Sequence, residues 1–194
     1  YKIPTDLPII CQISRYDLWK DPEGVIMAFK KAREQVKGTL VLLGNSATDD
    51  PEGQEVFESV LKHQEDRIII SCAGDDTALV NTLQKRSAVI MQKSTREGFG
   101  LTVTEAMVKG TPVIGGKVGG IIYQIKDGEN GFLVSSIDEA AESIVKALKD
   151  EKLRNTLGAN ARKSVIENFL QTRLVEQYID LFLDLKKPSK SAKK

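Results

Sequence analysis

Two carboxylates bracket a glycine turn in this chain: Glu97, then Gly98-Phe99-Gly100, then Glu105 within Leu101-Thr102-Val103-Thr104-Glu105-Ala106-Met107. The apolar spacing after the turn predicts a helix near 100–109. Such a turn directs the backbone N–H groups of Gly98, Phe99, Gly100, Leu101 and Thr102 at whatever sits over the helix start, where the helix dipole favours an anion. Glu105 falls one turn into the helix. Helical side chains lean toward the N-terminus, so its carboxylate is expected to reach back to the same place. Carboxylates accept hydrogen bonds from hydroxyls and repel phosphate. Two of them flanking an anion-binding turn suit a ligand with hydroxyl-rich ends and a phosphate centre, such as a sugar joined through a diphosphate to a ribose. Taken singly, Glu97 reads as a helix cap and Glu105 as a solvated helix residue; the pair around the turn is what points to a ligand.

Arg15 and Lys20 follow an apolar, strand-like run, Ile9-Ile10-Cys11-Gln12-Ile13. Open α/β sheets bind ligands beyond the C-terminal ends of their strands. An Arg fork and a Lys point charge there can neutralise a diphosphate leaving group; by themselves they read equally well as two solvated loop cations. Gly44 ends the next strand-like run and either lets a nucleotide approach the backbone or simply closes the strand. Gly119-Gly120 opens a later helical segment, lining a sugar pocket or allowing tight packing. Phe99 is expected to offer a backbone N–H while its ring packs inward, and Trp19 reads as packing. His63, the one histidine, lies at a polar helix end and reads as solvated. A single histidine supplies neither a His-rich zinc site nor a Ser-His-Asp triad. Neither a metal nor a cofactor is expected.

Around these residues short β-type runs alternate with helical ones, the pattern of an α/β doubly wound parallel sheet. Strands are predicted at 9–14, 39–44, 67–72, 87–92, 111–114 and 131–134, with helices near 22–36, 51–64, 76–86, 100–109 and 119–126. Pro22 and Pro51 stand at first-turn positions, where the missing N–H is harmless. The last third is helical throughout, with helices predicted near 137–149, 150–167 and 170–186. Leu174, Tyr178, Ile179, Leu181, Phe182 and Leu185 make the final helix too apolar for a lone surface element. Residues 1–185 are expected to form one domain, and 186–194 a disordered basic tail. The opening Tyr1-Lys2-Ile3-Pro4-Thr5-Asp6 reads as an interdomain lead-in with no signal peptide, so a fragment of a longer protein is expected.

The bulk properties agree. A chain of 194 residues suffices for one domain that buries about 70% of its unfolded surface. With 28 Lys and Arg against 27 Asp and Glu, there is no bulk field to attract nucleic acid or a membrane surface. No apolar run approaches the roughly 20 residues of a bilayer span. Cys11 and Cys72 both sit in apolar runs and read as two buried thiols of a cytoplasmic protein. The oligomeric state is left open, a homo-oligomer included.

The Glu97-Gly98-Phe99-Gly100…Glu105 pattern resembles the E-x7-E signature of retaining, GT-B-type glycosyltransferases of family 4. The likeness continues through Gly110-Thr111-Pro112-Val113-Ile114-Gly115, Val118-Gly119-Gly120-Ile121 and Asp127-Gly128-Glu129-Asn130-Gly131-Phe132-Leu133-Val134, and upstream through Ser14-Arg15-Tyr16-Asp17 with Lys20. Asp21 departs from many relatives, which carry Gly or Asn there. The Asp49-Asp50-Pro51-Glu52-Gly53 loop and the 96–105 wording are most similar to trehalose-forming synthases of that family. The resemblance implies the C-terminal, donor-binding half of a GT-B enzyme, with Arg15, Lys20 and Glu97 in catalysis. Gly44, the 98–102 turn and Glu105 would hold the donor, an NDP-glucose. The first Glu would meet the transferred sugar and the second the ribose, with base contacts from the loop near Ala73–Asp76. It also implies front-face displacement with retention, a sugar acceptor held by a missing N-terminal domain, and an isolated half without turnover. Three alternatives remain: another family 4 transferase acting on a glucan or glycolipid, which would keep every one of these motifs; a trehalose phosphorylase, against which a ribose-binding Glu105 argues; and a nucleotide-sugar-binding module without turnover.

Overall fold

The computed structural model describes residues 3–44, 51–72 and 76–186. Most of the expected base-contact loop (73–75), residues 45–50 and the basic tail from 187 lie outside them. Six strands form one sheet: β1 (Ile9–Ile13), β2 (Thr39–Gly44), β3 (Ile68–Cys72), β4 (Val89–Gln92), β5 (Val113–Gly116) and β6 (Gly131–Val134). Their order is β3-β2-β1-β4-β5-β6 and every pairing is parallel. A parallel sheet must be covered on both faces, which is why the strand sequences are nearly continuous Ile, Val and Leu.

Strand alternation divides those residues between two cores. Ile10, Leu40, Leu42, Ile68, Met91 and Ile114 share one cluster with Val25 and Phe29 of α1 (Pro22–Ala32) and Ile144 of α6 (Ile137–Lys149). Val60 of α2 (Pro51–Leu61) joins them. Cys11, Val41, Leu43, Ile90 and Val113 turn the other way. They meet Leu83 of α3 (Thr77–Arg86), Val103 and Met107 of α4 (Leu101–Val108), and Ala161 and Val165 of α7 (Glu151–Asn168). The sheet is therefore doubly wound, as predicted. Asp76, Ser136 and Asp150 cap α3, α6 and α7 by accepting from the N–H of Leu79, Glu139 and Leu153, supplying partners that a helix start lacks.

Compared with the predicted spans, strand β5 is displaced to Val113–Gly116, β4 starts at Val89 and α2 ends at Leu61, and the helices shortened most are the first and the fifth. Helix α1 stops at Ala32 rather than near 36, where Glu34 and Gln35 tighten into bonds to Lys31 and Ala32 three residues back. Helix α5 is only Ile121–Gln124, because Gly119 is left-handed at φ 49° and Ile125 is already extended. The thiols also differ from expectation: Cys11 is buried, whereas Cys72 at the end of β3 is only partly so. Burial pushes the Cys11 thiol well above its ordinary range. His63 is half-buried with Nδ1 3.1 Å from Lys30 Nζ, more engaged than a solvated residue. No residue of α8 (Gln171–Lys186) is buried. No helix among the described residues is long and apolar enough to cross a membrane.

The strand order decides where a site can form. From β1 the chain winds outward to β2 and β3, then returns to build β4, β5 and β6 on the other side. Loops leaving β1 and β4 diverge above the sheet, and the crevice between them is where doubly wound sheets take ligands.

Candidate functional site

The loop after β1 carries Arg15 and Lys20 to this crevice. Asp17 accepts from the Lys20 N–H at 3.0 Å and starts a single 3-10 turn, Leu18–Lys20. The turn ends at Asp21, the one non-glycine residue with positive φ (49°) among the described residues. Gly and Asn are the residue types that tolerate a left-handed backbone best. Asp21 is held there by two bonds: its carboxylate caps α1 through Gly24 N at 3.1 Å and pairs with the buried Lys93. Arg15 lies outermost, its side chain 68% exposed and 3.3 Å from Asp17.

The loop after β4 carries Glu97. Lys20 Nζ donates to Glu97 Oε2 at 2.6 Å, with both side chains mostly shielded (17% and 11% exposed). Ser94 Oγ and Gln92 Nε2 donate to the same oxygen at 3.2 and 3.3 Å. Three donors thus converge on Oε2, and among the described residues none is paired with Oε1. The two loops are also joined by Thr95 N donating to Trp19 O at 2.8 Å and by the Arg96 guanidinium over the Trp19 ring at 4.1 Å. A cavity of about 350 Å³ opens here, lined by Arg15, Trp19, Lys20, Arg96, Glu97 and Gly98, with Asp17. Three cations against two carboxylates leave it net positive, the sign an anionic ligand needs. A larger groove of about 630 Å³ between α5 and α7, bordered by Tyr123, Lys126 and Lys163, contains none of the predicted site residues.

The glycine turn is built by close backbone approach. Gly100 (φ 84°) is the N-cap of α4 and offers no side-chain cap. The first N–H to find an acceptor is that of Val103, on Gly100 O at 2.9 Å; among the described residues none accepts from the N–H groups of 98–102. Gly120 N donates to Gly98 O at 2.7 Å, and a Cβ on Gly119 would lie 1.7 Å from Glu97 O. The glycine pair packs tightly against this turn rather than against the sheet. It clamps the turn from behind.

Arg15, Lys20, Glu97 and Gly98 are therefore brought together, with Phe99 to Thr102 continuing the turn. Thr102 is tied to β1 through Oγ1 on Ile13 O at 3.4 Å, and Leu101 is exposed. Two expectations need correction. The Phe99 ring does not pack inward: it is 43% exposed and tilted against Phe169, centroids 6.0 Å apart. Glu105 does not line the cavity; its Oε2 accepts from Gln84 Nε2, in the last turn of α3, at 2.8 Å. Lys109 donates to the same Gln84, and its burial lowers its pKa against the opposing pull of Glu105. Gly44 admits Ser14 O and the Tyr16 ring, which a Cβ would meet at 2.5 and 2.6 Å. Sequence reasoning missed Gln12 and Gln92, and Gln124 behind the turn. For Gln12 and Gln92 the signal available was an amide at the penultimate or last position of an otherwise apolar strand.

The description "Glycosyl transferases group 1" matches residues 1–164. The chain is 45% identical over 190 residues to a trehalose synthase of Pyrococcus horikoshii, covering 95% of this chain and 46% of that protein. It is 34% identical over 174 residues to a trehalose phosphorylase of Grifola frondosa, covering 80% of this chain and 24% of that one. Among solved structures it superposes on a sucrose-phosphate synthase from Thermosynechococcus elongatus with TM-score 0.80 and 29% identity, over 94% of this chain and 46% of that one. The chain spans about half the length or less of these curated relatives. Its sheet and terminal helices are those of a Rossmann-like half of the GT-B fold, and the chain belongs to the group 1 glycosyl transferases.

Proposed function

We propose that residues 1–185 are the donor-binding domain of a retaining hexosyltransferase that moves glucose from an NDP-glucose to glucose, giving trehalose. The observation that carries this reading is the Lys20–Glu97 contact at the β1/β4 crevice, beside a helix start whose N–H groups have no described acceptor. It sets a cation, a carboxylate and an anion-binding turn side by side, which is the order glucosyl diphosphate needs. Arg15, Lys20 and the N–H groups of 98–102 stabilise the charge growing on the diphosphate as the glycosidic bond breaks. Removing one such donor in other enzymes costs about 10²–10³ in rate. Glu97 accepts from hydroxyls of the glucosyl group through its free oxygen. The departing phosphate takes the proton of the acceptor hydroxyl, which attacks from the same face, so configuration is retained. Glu105 holds the ribose after leaving Gln84. No metal has a part in these steps.

The trehalose assignment rests on the similarity to trehalose synthase, and the acceptor half lies outside this chain. The isolated chain is expected to bind donor without turning it over, because orientation of two reactants supplies up to about 7–11 kcal/mol of barrier lowering. Calorimetry in EDTA with ADP-, UDP- and GDP-glucose, followed by transfer to glucose after adding an N-terminal half, tests the reading. Binding of at least one donor and formation of trehalose only with both halves are expected. Similarity to trehalose phosphorylase makes glucose release from trehalose and inorganic phosphate the competing outcome. Donor binding with no transfer by the reconstituted pair would instead leave a binding module.

A further inference from the structure

Four buried side-chain oxygens among the described residues have no hydrogen-bond partner, and three of them are glutamine carbonyls: Gln12, Gln92 and Gln124 Oε1. All three residues are 1–2% exposed. A buried, unpaired amide oxygen is unfavourable, so three in one small domain need a reason. Each of these amides spends its Nε2 on the donor site. Gln12, on β1, donates to Lys20 O at 2.8 Å. Gln92, on β4, donates to Ser94 Oγ at 3.0 Å and to Glu97 Oε2 at 3.3 Å. Gln124, on α5, donates to Phe99 O and lies 3.5 Å from Gly120 O. One amide serves the basic turn, one the carboxylate and one the glycine turn.

We propose that Gln12, Gln92 and Gln124 are positioning residues that fix the three parts of the donor site relative to one another, at the expense of their own unpaired carbonyls. The orientation of each amide is dictated by its targets. Carbonyl oxygens of Lys20 and Phe99 and the carboxylate of Glu97 accept only, so each glutamine must present NH2 and leave its oxygen behind. With Gln92, Ser94 and Lys20 all on Glu97 Oε2, the other carboxylate oxygen is left for a sugar hydroxyl. The three amides approach from β1, β4 and α5, so no part of the site can shift without breaking one of these bonds. This proposal rests on the donor-binding reading.

Gln→Met at each position keeps length and removes both the donor and the orphan oxygen. A residue that merely packs should then keep both its stability and the order of the site, whereas a positioning residue leaves its target oxygen without that donor and loosens the part of the site it holds. Thermal melting points are expected to fall by no more than about 2–4 °C, because loss of the donor is partly offset by removal of the orphan oxygen. Acrylamide quenching of Trp19, the chain's one tryptophan, should increase in Gln12→Met, whose Lys20 turn is released. Hydrogen exchange at Val103 and Gly120, whose N–H groups are bonded into the turn, should quicken in Gln124→Met while the strands keep their protection. In Gln92→Met the preference for NDP-glucose over NDP should fall about tenfold, the loss of one hydrogen bond to a charged group. Larger falls in melting point with exchange quickened throughout, or unchanged quenching and local exchange, would overturn the proposal. If the wild type bound no nucleotide sugar, the donor-binding reading would fail, while quenching and exchange would still decide the role of the three amides.

Discussion

The Lys20–Glu97 contact can be weighed by a double-mutant cycle of Lys20→Met, Glu97→Gln and both. Of the three donors on Glu97 Oε2, Lys20 is closest at 2.6 Å, while Ser94 and Gln92 stand at 3.2 and 3.3 Å. The last two are longer than ordinary O–H···O and N–H···O bonds, so the charged one dominates. Hydrogen bonds to charged groups contribute about 1.5–3 kcal/mol. With the side chains 17% and 11% exposed, solvent screens the pair far less than a surface bridge. Each single variant should therefore lose about 2 kcal/mol of unfolding free energy, and the double variant little more than either, a coupling of about 2 kcal/mol. Urea titration of the four proteins measures it. The same cycle followed by calorimetry with NDP-glucose separates fold from function. Lys20→Met should weaken NDP and NDP-glucose alike by about tenfold to a hundredfold, and Glu97→Gln should weaken only the glucosylated ligand. A coupling near zero would refute the contact as an energetic unit, and equal effects of both variants on NDP would refute the division of roles.

Gly119→Ala places a methyl in contact with Glu97 O on a left-handed backbone and should cost about 2–5 kcal/mol in denaturant melts, with donor binding lost in parallel. Arg15→Ala, at an exposed position, should leave the melting point within about 2 °C yet lower NDP affinity at low salt, with the difference closing at high salt. Lys109 has its pKa lowered by burial from 10.5; between that depressed value and 10.5 the unfolded chain binds more protons, so stability rises with pH across the interval. Lys109→Met should abolish that rise in alkaline urea titrations. Deleting 171–186 should leave the melting point unchanged, since α8 buries no residue, and should reduce self-association seen by light scattering.

What could be read from the sequence was local or periodic. Runs such as Thr39–Gly44 and Ile68–Cys72 are short, apolar and bounded by turn signals, which fits strands covered on both faces. Their alternation with helical segments gave the doubly wound sheet. The glycine turn and its two glutamates were legible because all lie within one helix start. Tertiary structure decided the rest. Lys20 and Glu97 are 77 residues apart in sequence and meet only because the strand order sets β1 beside β4. Glu105 was expected to lean toward the turn on helix geometry alone, but Gln84 from a neighbouring helix outbids that tendency with a hydrogen bond. The Phe99 ring faces Phe169 because α7 ends there. The three buried glutamines look like any polar residue in a string of letters. Their meaning lies in what each amide donates to, and those acceptors are chosen by packing across the sheet.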